Sequence, residues 1–151
     1  MIAVIQRVSL ASVAIDGDVI SSINKGLLIL LGVAIDDTDD DLLWLAKKVA
    51  ELRIFEDDEG KMNLSLMEID GEALVVSQFT LLADYKKGRR PGFSKAATPE
   101  KAIPMYEKFM EELAKTGIAV KRGKFGADMK VSLLNDGPVT IVMDSSVKFP
   151  R

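Results

Sequence analysis

Apolar and polar positions along this chain predict strands over its first third and then two helices separated by more sheet. Ile2 to Val8 alternates loosely and predicts a strand. Ser12 to Ile15 and Asp18 to Ile20 predict the arms of a hairpin, because Asp16-Gly17 between them supplies the positive φ of a tight turn. Gly26 to Val33 is apolar, as in a strand covered on both faces. After the N-cap candidates Asp36, Asp37 and Thr38, the residues Leu42, Leu43, Leu45, Ala46, Val49 and Leu52 recur at helical spacing. Asp39 to Asp41 suit the positive end of that helix. Trp44 reads as a packing residue, with a stacking platform for a base as the alternative. Arg53-Ile54-Phe55 leaves the helix. The acidic run Glu56 to Glu59 before Gly60 could ligate a hard cation, but it lacks the spaced ligands of a calcium loop and fits a solvated turn better. Lys61 to Ile69 partly alternates, and Asp70-Gly71 marks a second hairpin turn.

The stretch Glu72 to Leu82 changes character halfway. Ala73 to Val76 predicts a buried strand. Ser77, Gln78 and Thr80 then bring polar side chains to its end, with Phe79 and Leu81 between them. Period two puts Ser77, Phe79 and Leu81 on one face and Gln78 and Thr80 on the other. Two neutral hydrogen-bonding side chains aimed together fit a lined pocket; a strand surfacing into a polar loop fits the same residues. The next sixteen residues, Ala83 to Thr98, lack periodicity and concentrate Lys86, Lys87, Arg89 and Arg90 between Tyr85 and Phe93. Basic and aromatic residues together suit a ligand with phosphate and base, and the loop leaves directly from the candidate pocket.

Thr98-Pro99-Glu100 starts a second helix with a cap, a proline at the first position and an acid in the first turn. Its apolar face is Ile103, Tyr106, Phe109, Met110 and Leu113, and Gly117 ends it. Pro104 is expected to bend this helix or to delay its start. Ile118 to Val120 predicts a strand, Lys121-Arg122-Gly123-Lys124 a second basic cluster, Phe125 to Met129 a turn, and Lys130 to Leu134 a strand. Pro138, after Asn135-Asp136-Gly137, is expected to break the ladder before the strand Val139 to Met143. The whole, residues 1–151, reads as one mixed α/β domain of mainly antiparallel sheet packed with two main helices.

Composition narrows the chemistry. The chain has no cysteine and no histidine, which removes thiolate nucleophiles, a Ser-His-Asp triad and imidazole or thiolate metal ligands. An enzyme built from it works with carboxylates, lysines, hydroxyls, backbone dipoles or groups on its substrate. No cofactor or metal site is expected. The net charge of −3 gives no global basic field. The longest apolar run, Leu27 to Ala34, is too short to span a bilayer, and without a basic leader and cleavage site the expected location is the cytoplasm.

Taken together, Ser77-Gln78-Phe79-Thr80-Leu81 with Ala83-Asp84, Lys86 to Pro91, Phe125 to Met129, Asn135 to Thr140 and the opening Ala3 to Val8 resemble the motifs of the D-aminoacyl-tRNA deacylase family, nearly end to end. Ile2, where the family often carries Arg, and Pro104 depart from the pattern. The resemblance implies a homodimer that hydrolyses the ester joining a D-amino acid to the 3′ end of tRNA and clears glycine mischarged on alanine tRNA. It implies a catalytic strand end at Ser77, Gln78, Phe79 and Thr80. It also implies a substrate pocket with Phe125 and Met129, and tRNA backbone contacts from Lys86, Lys87, Arg89 and Arg90. Gly137-Pro138, as a Gly-cis-Pro motif lent to the partner's pocket, would act as the chiral gate. Thr80 as nucleophile, or the backbone with the tRNA 2′-hydroxyl, are both compatible with the family. A non-catalytic tRNA 3′-end binding module and a dimeric β-rich interaction protein are the alternatives.

Overall fold

The computed structural model describes residues 1–151, and in it Ile2–Ile15 runs as one strand, β1, where the alternation predicted two. Asp16 and Gly17 take φ of 49° and 84°, the left-handed pair a tight hairpin needs, and return the chain into β2 (Asp18–Ile23). β3 (Gly26–Gly32) lies antiparallel to the first half of β1. β8 (Lys130–Asp144) runs antiparallel along β1 on the other side, since Ile5 pairs with both Ile29 and Ile141. β6 (Glu72–Ser77) joins β3 in parallel, and β7 (Ala119–Arg122) joins β6 in parallel. The path through the sheet is β2-β1-β3-β6-β7, with β8 on β1.

The Asp70-Gly71 hairpin is corrected by the structure. Asp70 does take a positive φ of 53°, but the strand after it pairs with β3, not with the strand before it. β5 (Met62–Leu64) pairs instead with β4 (Phe55–Glu56) in a separate ribbon. Burial is the reason: Ala73 to Val76 are all buried, and only the middle of a sheet covered on both faces offers that. The acidic run ahead of Gly60 forms a turn, where Asp57 Oδ1 accepts the N–H groups of Glu59 and Lys61 at 2.9 and 3.0 Å.

Two helices cover one face. α1 (Asp39–Glu51) starts at a capping box in which Asp41 Oδ2 accepts the Thr38 N–H at 2.9 Å. It buries Leu42, Leu45, Ala46, Val49 and Ala50, and leaves Leu43 outside the stripe. Trp44 packs edge-on against Phe149, with ring centroids 6.4 Å apart. α2 (Pro99–Lys115) begins at Pro99, so Pro104 does not delay it, and it buries Ala102, Met105, Tyr106, Phe109, Met110 and Leu113. Ile103 lies on its outer side. A large apolar core fills the space between sheet and helices. A smaller one, around Val8, Val13, Ile23, Leu28, Leu74 and Val76, lies inside the curl of the sheet. The curl brings β2 to β7, where Ser21 Oγ donates to the Arg122 carbonyl at 2.7 Å and Lys121 Nζ to that of Ser22 at 2.8 Å.

The end of β8 is pinned to α1 by a buried polar cluster. Ser145 Oγ donates to Asp41 Oδ1 at 2.6 Å, and Arg151 Nη2 donates to Asp41 Oδ2 at 2.6 Å. Burial alone would push the Asp41 carboxyl up, but hydrogen bonds from Arg151, Ser145 and the Thr38 backbone outweigh it and hold the group well below the usual carboxylate range. A carboxyl depressed in the folded state stabilises the fold above its unfolded value near about 3.9, and that stabilisation is lost as pH falls from there towards the folded value. Ser145→Ala, which leaves Asp41 one donor short, is expected to cost about 1–3 kcal/mol at neutral pH, with the cost shrinking in acid. Urea midpoints of the two proteins measured across that range check this, and equal midpoints at neutral pH would contradict it.

Candidate active site at the end of strand β6

The site begins where the parallel ladder ends. Gln78 donates its N–H to the Leu31 carbonyl at 2.8 Å, just past the last paired residue of β6. The chain then folds into a 3-10 turn, Phe79–Leu82. The alternation expected over Ser77 to Leu81 is therefore absent: beyond Ser77 no strand imposes period two. Gly32 makes the turn possible. A Cβ there would lie 2.7 Å from Leu82 Cδ2, 3.0 Å from the Gln78 carbonyl and 3.2 Å from Leu81 Cβ. A methyl group there would force the Leu82 side chain and the turn to shift away from β3.

Under this turn lies a pocket of about 260 Å³. Ser77, Gln78 and Phe79 form one wall, the Phe125 to Met129 loop another, and Tyr106 of α2 also lines it. The lining is mainly apolar. Tyr106 donates its hydroxyl to the Val75 carbonyl at 2.7 Å, and burial pushes its pKa up to about 12, so it is a fixed neutral wall. Met129 Sδ accepts the Lys124 N–H at 3.4 Å, which ties the loop back on itself.

Thr80 is exposed and stands outside the lining, but Gln78 Nε2 donates to its Oγ1. Phe79 is 55% exposed and meets Phe93 edge-on at 5.0 Å. That contact joins the turn to the basic loop. The loop is closed at its base by Asp84 and Gly92, which exchange backbone hydrogen bonds of 2.7 and 2.8 Å. Lys86, Lys87 and Arg90 then line a shallow concavity with Phe93 and Ser94, and Arg89 is exposed beside them, outside that lining. The basic loop therefore adjoins the pocket and does not enter it.

Gly137 and Pro138 lie away from this pocket, exposed on β8. Gln6 pairs with Thr140 and Val8 with Asn135, so Asp136 to Val139 bulge out opposite Arg7 alone. The ladder resumes on both sides, which modifies the expected break. The Gly137–Pro138 peptide is cis, and Gly137 has φ of 140°, a conformation closed to most side chains. Arg7 escaped the reading of the sequence as a site residue. It is 6% exposed, donates from Nε to the Asp136 carbonyl at 2.9 Å and from Nη1 to the Ile54 carbonyl at 2.7 Å. Gly32 and the wall role of Tyr106 were also missed.

A histidine-free pocket walled by a strand end and a tethered loop, with a Gly-Pro bulge presented elsewhere on β8, fits the comparison with known proteins. Residues 4–144 match the family model described as D-Tyr-tRNA(Tyr) deacylase, and the chain belongs to that family. A relative from Roseiflexus castenholzii named D-aminoacyl-tRNA deacylase is 62% identical over 147 residues, covering 97% of this chain and 94% of the relative. A solved structure titled c-Myc DNA Unwinding Element Binding Protein is 44% identical, with a TM-score of 0.90 over 95% of this chain and 98% of its own. Another, titled as a probable eukaryotic D-amino acid tRNA deacylase, shares the fold at 17% identity, with a TM-score of 0.80 over 94% of this chain and 97% of its own.

The Gly32 contact yields a test. Gly32→Ala is expected to cost about 1–3 kcal/mol through overpacking and to shift the amide resonances of residues 78 to 82 before those of α1. Chemical denaturation with amide NMR reads both effects; a variant with unaltered stability and unaltered turn resonances would refute the fit of the turn to β3.

Proposed function

We propose that this chain is an aminoacyl-tRNA editing hydrolase. It cleaves the ester of a D-amino acid on the 3′-terminal adenosine of tRNA, and it also clears glycine from alanine tRNA. Water adds to the carbonyl carbon, the bond to the ribose oxygen breaks, and that oxygen takes up a proton, releasing D-amino acid and free tRNA. Family membership supports the reaction class. The observation that carries the mechanism is the 3-10 turn at Phe79. The first N–H groups of a helical turn have no partner within it, so those of Phe79 and Thr80 are free to face a developing oxyanion. One aimed donor of that kind is worth about 3 kcal/mol of transition-state stabilisation.

Thr80 acts here through position, not as a nucleophile. A threonine nucleophile needs a base beside it, and the group touching Thr80 Oγ1 is the Gln78 amide, a donor that cannot take its proton. Gln78 and Thr80 orient the ester or the water, Ser77, Phe125 and Met129 shape the pocket, and the tRNA 2′-hydroxyl assists. Lys86, Lys87, Arg89 and Arg90 hold tRNA phosphates. Gly137 and Pro138 serve the pocket of a second copy in a homodimer, where their carbonyls bind the amino group and exclude an L side chain. Two features support that arrangement: the pair is exposed away from its own pocket, and Leu10, Leu134 and Val142 stand exposed on β1 and β8 to either side of the bulge. The working compartment is that of aminoacyl-tRNA, the cytoplasm.

Deacylation of matched D- and L-tyrosyl-tRNA tests the reading, with turnover of the D form alone expected. Thr80→Ala keeps the backbone donor and is expected to retain turnover within about tenfold, whereas loss on the order of 10⁴ or more would mark the hydroxyl as the nucleophile. Four phosphate contacts limit the slope of log affinity against log salt to about −3 to −4, and a slope near −10, as for an extended duplex binder, would contradict a grip on the tRNA end.

A further inference from the structure

The Gly137–Pro138 bulge is held at two ends by two side chains. Arg7 takes the upstream end through the Asp136 carbonyl. The downstream end belongs to Asn135. Its Oδ1 accepts the Val139 N–H at 2.8 Å, and its Nδ2 donates to Thr140 Oγ1 at 3.0 Å, with the Val139 carbonyl at 3.5 Å. The Val139 N–H can only donate, which fixes the amide orientation. The bond spans the bulge: Asn135 is the last residue paired before it and Thr140 the first paired after it. The side chain thus supplies the closure that backbone pairing omits between them.

We propose that Asn135 is a positioning residue for the chiral gate: its side-chain amide closes the four-residue bulge from Asp136 to Val139 and sets the direction in which Gly137 and Pro138 are presented. The proposal rests on the functional reading above and extends it. Asn135 touches no substrate; it acts on the loop through Val139 and Thr140. Arg7 and Asn135 divide the work by chemistry. The guanidinium anchors the loop to the sheet and to Ile54, whereas the amide fixes the loop's internal shape. Removing Asn135 therefore loosens presentation and leaves the pocket walls and Phe79 untouched.

The test compares Asn135→Ala with Asn135→Asp. Aspartate retains the acceptor for the Val139 N–H and can accept from the Thr140 hydroxyl. The alanine variant is expected to lower the ratio of D- to L-tyrosyl-tRNA deacylation by about threefold to tenfold, the worth of a neutral hydrogen bond, and the aspartate variant to stay within about twofold of wild type. Equal ratios in wild type and the alanine variant would overturn the proposal, as would equal losses in both variants. If Asn135→Ala does not fold, hydrogen exchange in the wild type decides: the Val139 amide should be protected, and exchange at the rate of a free loop amide would overturn the clamp. A wild type that hydrolyses D and L esters alike would instead refute the gating function itself, and Val139 protection would still report on the clamp.

Discussion

The constraint on which this molecule turns is the burial of the middle of β6. Four consecutive apolar residues, Ala73 to Val76, have no exposed side to offer, so the strand lies between β3 and β7 with apolar groups on both faces. There it pairs in parallel with β3, and that pairing fixes where the ladder runs out. Past Ser77 one further bond, from the Gln78 N–H to the Leu31 carbonyl, closes the ladder, and the polar residues that could not have been buried begin there. The turn at Phe79 is the consequence, and its free backbone donors come from losing the strand. The end of the strand is rigid because two apolar cores grip β6 from opposite sides.

The second organising contact is a buried charge. Arg7 sits on the inward parity of β1 with Ala3 and Ile5, where apolar side chains belong. A guanidinium there is tolerated only if its donors are used, and they reach two carbonyls far apart in sequence, at Ile54 and Asp136. The residue therefore couples the exit from α1 to the bulge on β8. Gly137 has to be glycine beside it, because a Cβ would stand 3.2 Å from Arg7 Nη2 and 2.7 Å from Val139 Cγ2. Pocket and bulge are separate on this chain, and each is stiffened by its own contacts.

How much of this was legible depended on the range of the physics. The Asp16-Gly17 hairpin, the Thr38 cap and the Thr98-Pro99 start could be read because each is settled within a few residues. Asp70-Gly71 has the same turn chemistry, yet a turn does not state what its strand will pair with, and burial chose β3. The period-two reading of Ser77 to Leu81 failed because alternation belongs to the ladder, and the ladder had ended. The grouping of Ser77, Gln78 and Phe79 with Phe125 and Met129 came from the family resemblance, since no local rule brings residues that far apart together. Arg7 left a trace, an ionic residue on the apolar parity of a strand, that could have prompted a search for its buried partners.

The seam between β2 and β7 has a further consequence. These strands meet without a backbone ladder, through two side-chain bonds to carbonyls, each worth about 0.5–1.5 kcal/mol. β7 leads directly into the Gly123 to Met129 segment that walls the pocket. That wall is held from two directions, by the seam to β2 and by the ladder of β7 on β6, which Gly123 extends by donating its N–H to the Val75 carbonyl at 3.0 Å. Both walls of the pocket therefore stem from neighbouring strands of one parallel pair, so a slip of register between β6 and β7 would displace one wall against the other.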